Sequence, residues 1–180
     1  MSKQIQFTKT GSPDVLQIVD VAVPAPKAHE VQIQIHAIGL NRAEMMYREG
    51  AYVIDPVFPA TLGYEGAGVV TAIGDGVSEF AIGDKVSVIP SFMFTEYGTY
   101  GELVNMPKHA VVKPPDTLTM EQASASWMAF VTAYGGLLEF GKLQKGDVVV
   151  LGGATSSVGL AAIQIAKMQG ATVIALSRTH

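Results

Sequence analysis

An eight-residue turn, GGATSSVG at positions 152 to 159, carries the clearest chemical signal in the sequence. It follows an apolar run, Val148 to Leu151, and stands where a helix is predicted to begin. Such a turn presents backbone N–H groups and the positive end of a helix dipole, which together can hold a diphosphate. With Gly159 aligned to the third glycine of the dinucleotide-binding pattern GxGxxG, Ala154 and Ser156 replace the first two. The sequence therefore predicts dinucleotide binding, with an ordinary strand-to-helix turn as the alternative.

Three residues of this turn, Thr155, Ser156 and Ser157, carry hydroxyl groups. The second glycine normally lets a pyrophosphate approach the backbone, so Ser156 either holds the ligand slightly away or hydrogen-bonds to it. Ser157 adds a donor at the N-terminus of the helix, where the dipole already favours an anion. The predicted cofactor-binding turn consists of Ala154, Thr155, Ser156, Ser157, Val158 and Gly159.

A basic triplet, Ser177, Arg178 and Thr179, follows the next apolar run. It lies near the position, about 20 residues after the glycine pattern, where Asp or Glu bonds the ribose 2′-hydroxyl of NAD. A guanidinium between two hydroxyl groups suits a 2′-phosphate, which a carboxylate would repel. The triplet therefore predicts NADP(H) rather than NAD(H). The alternative is that Arg178 is only a solvated charge.

Two strands and one helix are predicted to position these groups. The run Val148 to Leu151 is typical of a strand covered on both faces, and Thr172 to Leu176 forms a second one. Gly170 is the expected C-terminal cap of the helix between them. Strand, helix and strand predict a right-handed βαβ unit of a parallel sheet. The helix has apolar residues at i, i+3, i+4 and i+7, namely Val158, Ala161, Ala162 and Ile165.

The first part of the chain has a different pattern of apolar and turn-forming residues. From Ile5 to about Lys113, short apolar or alternating runs are separated by Gly, Pro, Asn and Asp, which predicts a β-rich barrel or sandwich. In one such run, Val31, Ile33 and Ile35 alternate with polar residues, as in a half-buried strand. The other strands are predicted at 66–73, 85–89, 102–105 and 110–112.

Two prolines, Pro114 and Pro115, mark a change of domain, so we predict one domain over 1–117 and another over 118–180. A helix is expected from Thr119, capped reciprocally by Gln122, to about residue 140. The glycine pair at 135–136 is a point where that helix could divide.

Composition excludes several classes of protein. The 180 residues are 48% hydrophobic with a net charge of −4, which excludes wholesale disorder and argues against nucleic acid or an anionic membrane as partner. The absence of cysteine excludes disulfides and thiolate metal sites.

The start has no apolar signal segment and no stretch is long enough to span a membrane, so the cytoplasm is the default location. Two parallel strands and one helix cannot enclose a core, which indicates a fragment or a shortened product.

Several stretches occur in the order and spacing of a known family. They are GLNRAEMMYREG, PATLGYEGAGVVTAIGDGVSEFAIGDKV, GTYGELV and the run from VTAYGG to SRT. The chain resembles the medium-chain dehydrogenase/reductase superfamily, and within it the zinc-independent quinone oxidoreductase branch. This resemblance implies a GroES-like domain followed by the first βαβ portion of a Rossmann domain. It also implies hydride transfer from NADPH to a quinone, an enone or a similar small carbonyl compound, by a protein about twice this length.

The zinc-containing alcohol dehydrogenases of that superfamily differ at two decisive positions. Asn41 stands where they have a cysteine ligand, and Tyr64 stands where their GHE motif supplies histidine. An amide and a phenol are poor ligands for Zn²⁺. The four-cysteine lobe that holds their structural zinc has no counterpart near residues 90–100. We therefore predict a site without metal.

The resemblance also implies candidates for catalysis. Asn41 and Tyr47 would lie near the nicotinamide and the substrate, Thr132 would contact the nicotinamide carboxamide, and Tyr64 would shape the substrate pocket. Each has a structural alternative: a cap for Asn41, a half-buried aromatic for Tyr47 and a bond to its own helix backbone for Thr132. Glu65 is expected to anchor the polar interior of its domain. A non-catalytic NADPH-binding or structural module, or an inactive fragment, remains the alternative function.

Overall fold

The computed structural model describes residues 1–177, which form two compact units, Met1–Ala125 and a second that begins at Ser126. The first unit is rich in strands and the second alternates strands with helices, so the chain has the expected mixed α/β class. Among these residues, every helix is too short or too polar to cross a bilayer.

Antiparallel strands build most of the first unit. One sheet has the order β2-β1-β4 and the other has the order β7-β3-β5-β6-β8. The strands are β1 (Ser2–Phe7), β2 (Gln17–Val21), β3 (Glu30–Ile38), β4 (Ala60–Thr61), β5 (Gly66–Ile73), β6 (Lys85–Val88), β7 (Leu103–Pro107) and β8 (Val111–Val112).

Strand β3 lies between β7 and β5 in the larger sheet, and its side chains alternate between the core and the surface. Val31 and Ile33 are fully buried, while the neighbouring Gln32 and Gln34 are not. The strand pairs along its length with β5 and over its first half with β7. The apolar core beneath consists of Val31, Ile33, Val70, Val77, Val86, Val88, Val104, Met106 and Val111.

Two helices complete the first unit, beside short 3-10 turns at Pro13–Val15 and Lys108–Ala110. Helix α1 (Arg42–Glu49) ends at Gly50, whose left-handed φ of +73° suits glycine. Helix α2 (Met120–Ser124) has the predicted reciprocal cap between Thr119 and Gln122.

Helix α2 belongs to the first unit, although the sequence suggested a boundary after residue 117. It packs on β3, β5 and β6, and the Ser87 hydroxyl donates a hydrogen bond to the Ala123 carbonyl at 2.9 Å. The division between the units therefore falls after Ala125. The proline pair follows the last strand of the first unit, but the chain after it still packs against the sheet of that unit through α2.

The second unit contains the predicted parallel pair of strands. Helix α3 (Trp127–Tyr134) runs into a π-helical turn (Gly135–Phe140), and then β9 (Val148–Gly152), α4 (Ser157–Met168) and β10 (Thr172–Leu176) follow. Strands β9 and β10 are parallel, in the register Thr172 to Val148. Gly170, with φ +77°, follows the end of α4 as expected.

The long helix expected from 119 to 140 is interrupted, at a different place from the glycine pair. The backbone leaves helical geometry at Ala125, with φ −108° and ψ 9°. Gly135 keeps helical angles, φ −56° and ψ −49°, and the coil continues through it. At the glycine pair the α-helix passes into the π-helical turn without leaving helical geometry, because glycine permits a break without requiring one.

Only one face of the parallel pair is covered within the described residues. Helix α4 packs against both strands, and α3 packs against α4. The alternate side chains of the strands are 47 to 61% exposed, which agrees with the expectation that two parallel strands and one helix cannot enclose a core. These side chains, the open face, are Val148, Val150, Ile174 and Leu176.

Candidate functional site

The turn between β9 and α4 is organised by Ser156. Its backbone N–H donates to the carbonyl of Gly153, at 3.0 Å, and its hydroxyl oxygen accepts from the backbone N–H of Gly159, at 3.1 Å. Ser156 is therefore the N-cap of α4, a role that the sequence prediction did not assign to it. Its hydroxyl hydrogen is not used in that cap, so the exposed side chain can still donate to a ligand.

Gly159 seats the first turn of α4 against the preceding turn. A Cβ atom at this position would lie 2.5 Å from the carbonyl oxygen of Gly153 and 2.8 Å from the carbonyl carbon of Ala154. This close approach is what the third glycine of the dinucleotide pattern provides. Ala154, at the first position of the pattern, is buried, and its N–H faces the carbonyl of Leu176 at 3.3 Å.

A hollow of about 450 Å³ opens between the turn and the end of β10. The structure thus brings the predicted residues Thr155, Ser156 and Ser177 together on one wall. Cβ atoms added at Gly152 and Gly153 would meet nothing within 4 Å, so the backbone itself borders open space. Ser157 and Val158 are exposed in the first turn of α4. The other two predicted residues, Arg178 and Thr179, lie outside the described residues.

Thr132 is exposed in the same unit, on α3. Its hydroxyl donates to the carbonyl of Met128, four residues earlier, at 2.7 Å. This is the backbone bond that the sequence allowed as the alternative. The hydroxyl oxygen keeps its capacity to accept a hydrogen bond from an amide group.

Asn41 is held at both its main chain and its side chain. It is the residue before the first turn of α1, and its backbone N–H donates to the carboxylate of Glu44 at 2.7 Å. Its side-chain amide donates to Oε1 of Glu65 at 2.9 Å. Glu65 is 3% exposed, which agrees with the interior anchoring role expected for it. Asn41 therefore has a fixed orientation, as a substrate-facing amide requires.

Glu44 is a buried carboxylate that the sequence interpretation missed. Besides Asn41, it accepts hydrogen bonds from the Tyr64 backbone N–H at 3.1 Å and from the Tyr100 hydroxyl at 2.9 Å. Burial raises the pKa of Glu44, and these hydrogen bonds oppose that rise. Glu44 thus ties α1 to the loop of Tyr64. Its position three residues after Asn41, as in a reciprocal helix cap, was the available signal.

Tyr47 lies in the interior, with 0% exposure, which favours the structural alternative over contact with a substrate. Its ring packs edge-on against Phe7, with centroids 5.9 Å apart. The hydroxyl makes no well-formed hydrogen bond to a described residue. Burial raises the pKa of Tyr47, and the backbone N–H of Val57 only partly offsets the rise.

Tyr64 is nearly buried, but its hydroxyl lies 3.3 Å from the hydroxyl of Tyr52. Its ring stacks on Phe94 with a centroid separation of 3.7 Å. Burial, followed by the Tyr52 hydroxyl, raises the pKa of Tyr64, which keeps it protonated. The sequence interpretation missed Tyr52, because nothing in the chain marks it beyond its place after the end of α1.

Within residues 1–177, no three His, Asp or Glu side chains are grouped so that they could hold a metal ion. Asn41 and Tyr64 instead make hydrogen bonds to protein groups, as described above. The geometry provides a hydroxyl-lined hollow beside a helix N-terminus in one unit, and a fixed amide and a pair of phenols in the other.

Comparison with protein families decides what the first unit is. Residues 27–116 match the family model described as the alcohol dehydrogenase GroES-like domain. The chain belongs to that family. The resemblance drawn from the sequence and the expected order of a GroES-like domain followed by the start of a Rossmann domain are confirmed.

Several relatives of this alcohol dehydrogenase GroES-like protein are oxidoreductases by name. The quinone oxidoreductase of Homo sapiens is 36% identical over 181 residues, which cover 100% of this chain and 54% of the relative. The quinone oxidoreductase of Escherichia coli complexed with NADPH is 32% identical with a TM-score of 0.88, covering 98% of this chain and 53% of that one. An NAD-dependent alcohol dehydrogenase is 33% identical with a TM-score of 0.89, covering 96% and 57%.

The alcohol dehydrogenase GroES-like chain spans about half the length of the relatives that it matches. The names of those relatives include both NADPH and NAD. An oxidoreductase family is therefore shown, and the choice of cofactor depends on this chain's own residues.

Proposed function

We propose that this chain forms part of a cytoplasmic, NADPH-dependent oxidoreductase. The enzyme passes a hydride to a quinone, an enone or a similar small electrophilic carbonyl compound, without a metal ion. It has no nucleic acid or membrane partner, and it assembles as a homo-oligomer when complete. Bound NADPH supplies the hydride, and the protein groups orient the reactants and stabilise the oxygen that gains negative charge.

The observation that carries this proposal is the hollow beside the capped N-terminus of α4. Its lining includes the hydroxyl-bearing residues Thr155, Ser156 and Ser177, and the helix dipole adds positive potential at the same place. A diphosphate is the anion that this combination suits. Arg178 and Thr179 follow Ser177 directly and would hold the 2′-phosphate of NADPH.

The substrate side of the proposal rests on groups in the first unit. A carbonyl oxygen that gains charge needs a fixed hydrogen-bond donor, and the side-chain amide of Asn41 is held in one orientation by its bond to Glu65. The Tyr52 phenol is a further donor, and its oxygen lies 3.3 Å from the hydroxyl of Tyr64, whose raised pKa keeps it protonated. These neutral donors replace the Lewis acid that a zinc enzyme uses.

A steady-state assay of the full-length protein tests the proposal. We expect quinone-dependent oxidation of NADPH that is unchanged after treatment with EDTA, and lower efficiency with NADH. Loss of activity on chelation, together with zinc in elemental measurements, would contradict the metal-free mechanism. Equal use of NADH and NADPH would contradict the cofactor choice.

A non-catalytic NADPH-binding module is the second candidate. It is favoured by the protein hydrogen bonds that already occupy the side chains of Asn41 and Thr132. A module of this kind would be stabilised against heat in proportion to its occupancy by NADPH but would turn over nothing. Thermal protection by NADPH without oxidation of any quinone or enone would support it over the enzyme.

A further inference from the structure

An aromatic stack supports the tyrosine pair in the first unit. The ring of Phe94 lies between Tyr47 and Tyr64, with centroid separations of 4.7 and 3.7 Å and interplanar angles of 29° in both cases. Phe94 is 2% exposed and Tyr47 is 0% exposed, so both are fixed in the interior. Stacked rings with little freedom hold Tyr64 in one orientation.

The ring of Tyr52 packs on the side of this stack. It meets Tyr47 at 6.5 Å and Phe94 at 5.9 Å, each in an edge arrangement. Tyr52 is only half-buried, whereas Tyr64 is 7% exposed. Their hydroxyl oxygens are 3.3 Å apart, so one hydroxyl donates to the other. Tyr52 is the member of the pair that is more open to a ligand.

Burial decides the direction of that hydrogen bond. A buried hydroxyl that does not donate loses its hydrogen bond to water without replacement, which is costly. Among the described residues, the oxygen of Tyr52 is the acceptor that the Tyr64 hydroxyl reaches. The raised pKa of Tyr64 agrees with a group that keeps its proton. Donation from Tyr64 leaves the hydrogen of the more exposed Tyr52 hydroxyl available.

We infer that Tyr52 donates the hydrogen bond to the substrate oxygen, and that Tyr64 is a positioning residue whose hydroxyl donates to Tyr52. The inference rests on the proposed function and assigns two roles within it. Because a hydroxyl that accepts one hydrogen bond becomes a stronger donor of another, Tyr64 also polarises Tyr52. Phe94 and Tyr47 act only by holding the ring of Tyr64.

Phenylalanine substitutions test this assignment because they remove only the hydroxyl groups and keep the rings that form the stack. The variants are Tyr52→Phe, Tyr64→Phe and the double variant. The control is Tyr97→Phe, since the Tyr97 hydroxyl donates to Glu30 at 3.0 Å and is not part of the pair. Each is assayed as full-length protein with NADPH and 1,4-naphthoquinone, after thermal unfolding has shown that it is folded.

We expect Tyr52→Phe to lower kcat about 100-fold, the loss typical of one donor to a developing oxyanion. Tyr64→Phe should lower kcat about threefold to tenfold with KM changed less than twofold, as for one lost neutral hydrogen bond. The double variant should be no slower than Tyr52→Phe alone, because Tyr64 acts through Tyr52. Tyr97→Phe should retain the wild-type kcat.

If the decrease in kcat of the double variant equalled the product of the two single decreases, the inference would be overturned, because Tyr64 would then act without Tyr52. A Tyr52→Phe variant as active as the wild type would overturn it as well. Both results leave the proposed function standing, since the wild type is active in them. A full-length wild type that never oxidises NADPH with 1,4-naphthoquinone or an enone overturns the function and the inference together.

Discussion

Replacing Gly159 with alanine tests whether α4 is seated on the preceding turn as described. The added Cβ would lie 2.5 Å from the Gly153 carbonyl oxygen, whereas real Cβ atoms essentially never approach such atoms closer than 3.0 Å. The clashing atoms are backbone, so the helix must move. Overpacking of this kind costs about 1 to 3 kcal/mol. We expect Gly159→Ala to lower the free energy of unfolding of the second unit by about 2 kcal/mol.

Gly135→Ala is the matched control, in the same unit. Gly135 has helical backbone angles, and its Cβ would meet nothing within 4 Å. Alanine there reduces the entropy of the unfolded chain and should stabilise the unit by about 0.4 to 1 kcal/mol. The two substitutions are chemically identical, so opposite signs must come from the surroundings of the two glycines.

The single tryptophan makes the measurement selective. Trp127 lies in α3, which packs on α4, so its fluorescence during urea unfolding reports on the second unit. With a slope of about 1 to 2 kcal/mol/M, the midpoint of Gly159→Ala should fall by about 1 to 2 M. A midpoint for Gly159→Ala at or above that of the wild type would refute the close approach of α4 to the turn.

Other substitutions probe the cofactor site and the buried carboxylate. Arg178→Glu should weaken NADPH more than NADH by about 1.5 to 3 kcal/mol in calorimetry, and equal effects would remove Arg178 from the site. Ser156→Ala should cost about 1 kcal/mol of stability through loss of the helix cap, seen in Trp127 fluorescence, and no loss would contradict the cap. Because the pKa of Glu44 is raised, the native state binds the extra proton, so wild-type stability should fall as pH rises above about 4.5. Glu44→Gln should remove that part of the pH dependence. If the free energy of unfolding of the variant changed with pH in the same way as that of the wild type, a raised pKa of Glu44 would be contradicted. The 180-residue chain alone should oxidise NADPH weakly or not at all, which ordinary turnover by this chain would disprove.

Periodicity predicted the regular elements well. The strands expected at 66–73 and 172–176 have those bounds, and the cap at Thr119 has the predicted partner. In these places the local pattern and the tertiary packing require the same structure. The boundary of the units was harder, because α2 is attached to the first unit by contacts with strands far away in sequence.

The candidate site was predicted only in part. The residues of the predicted dinucleotide turn could be grouped from the sequence because their spacing is local, and the structure brings Thr155, Ser156 and Ser177 to one hollow. The pairing of Tyr52 with Tyr64 was not, because it depends on how two separate loops pack around Phe94. Tyr47 shows the reverse problem, since the resemblance implied a catalytic role for a side chain that three-dimensional packing places in the interior.

The open face of the β9–β10 pair has a practical consequence for anyone who produces this polypeptide. Four aliphatic side chains stand side by side on a small sheet, and in residues 1–177 each of the two strands has one unpaired edge. Unpaired strand edges and exposed apolar patches promote self-association in solution. Expressed by itself, the 180-residue polypeptide should bind 1-anilinonaphthalene-8-sulfonate and elute earlier from a size-exclusion column as its concentration rises. Val150→Lys should reduce both the dye binding and the self-association.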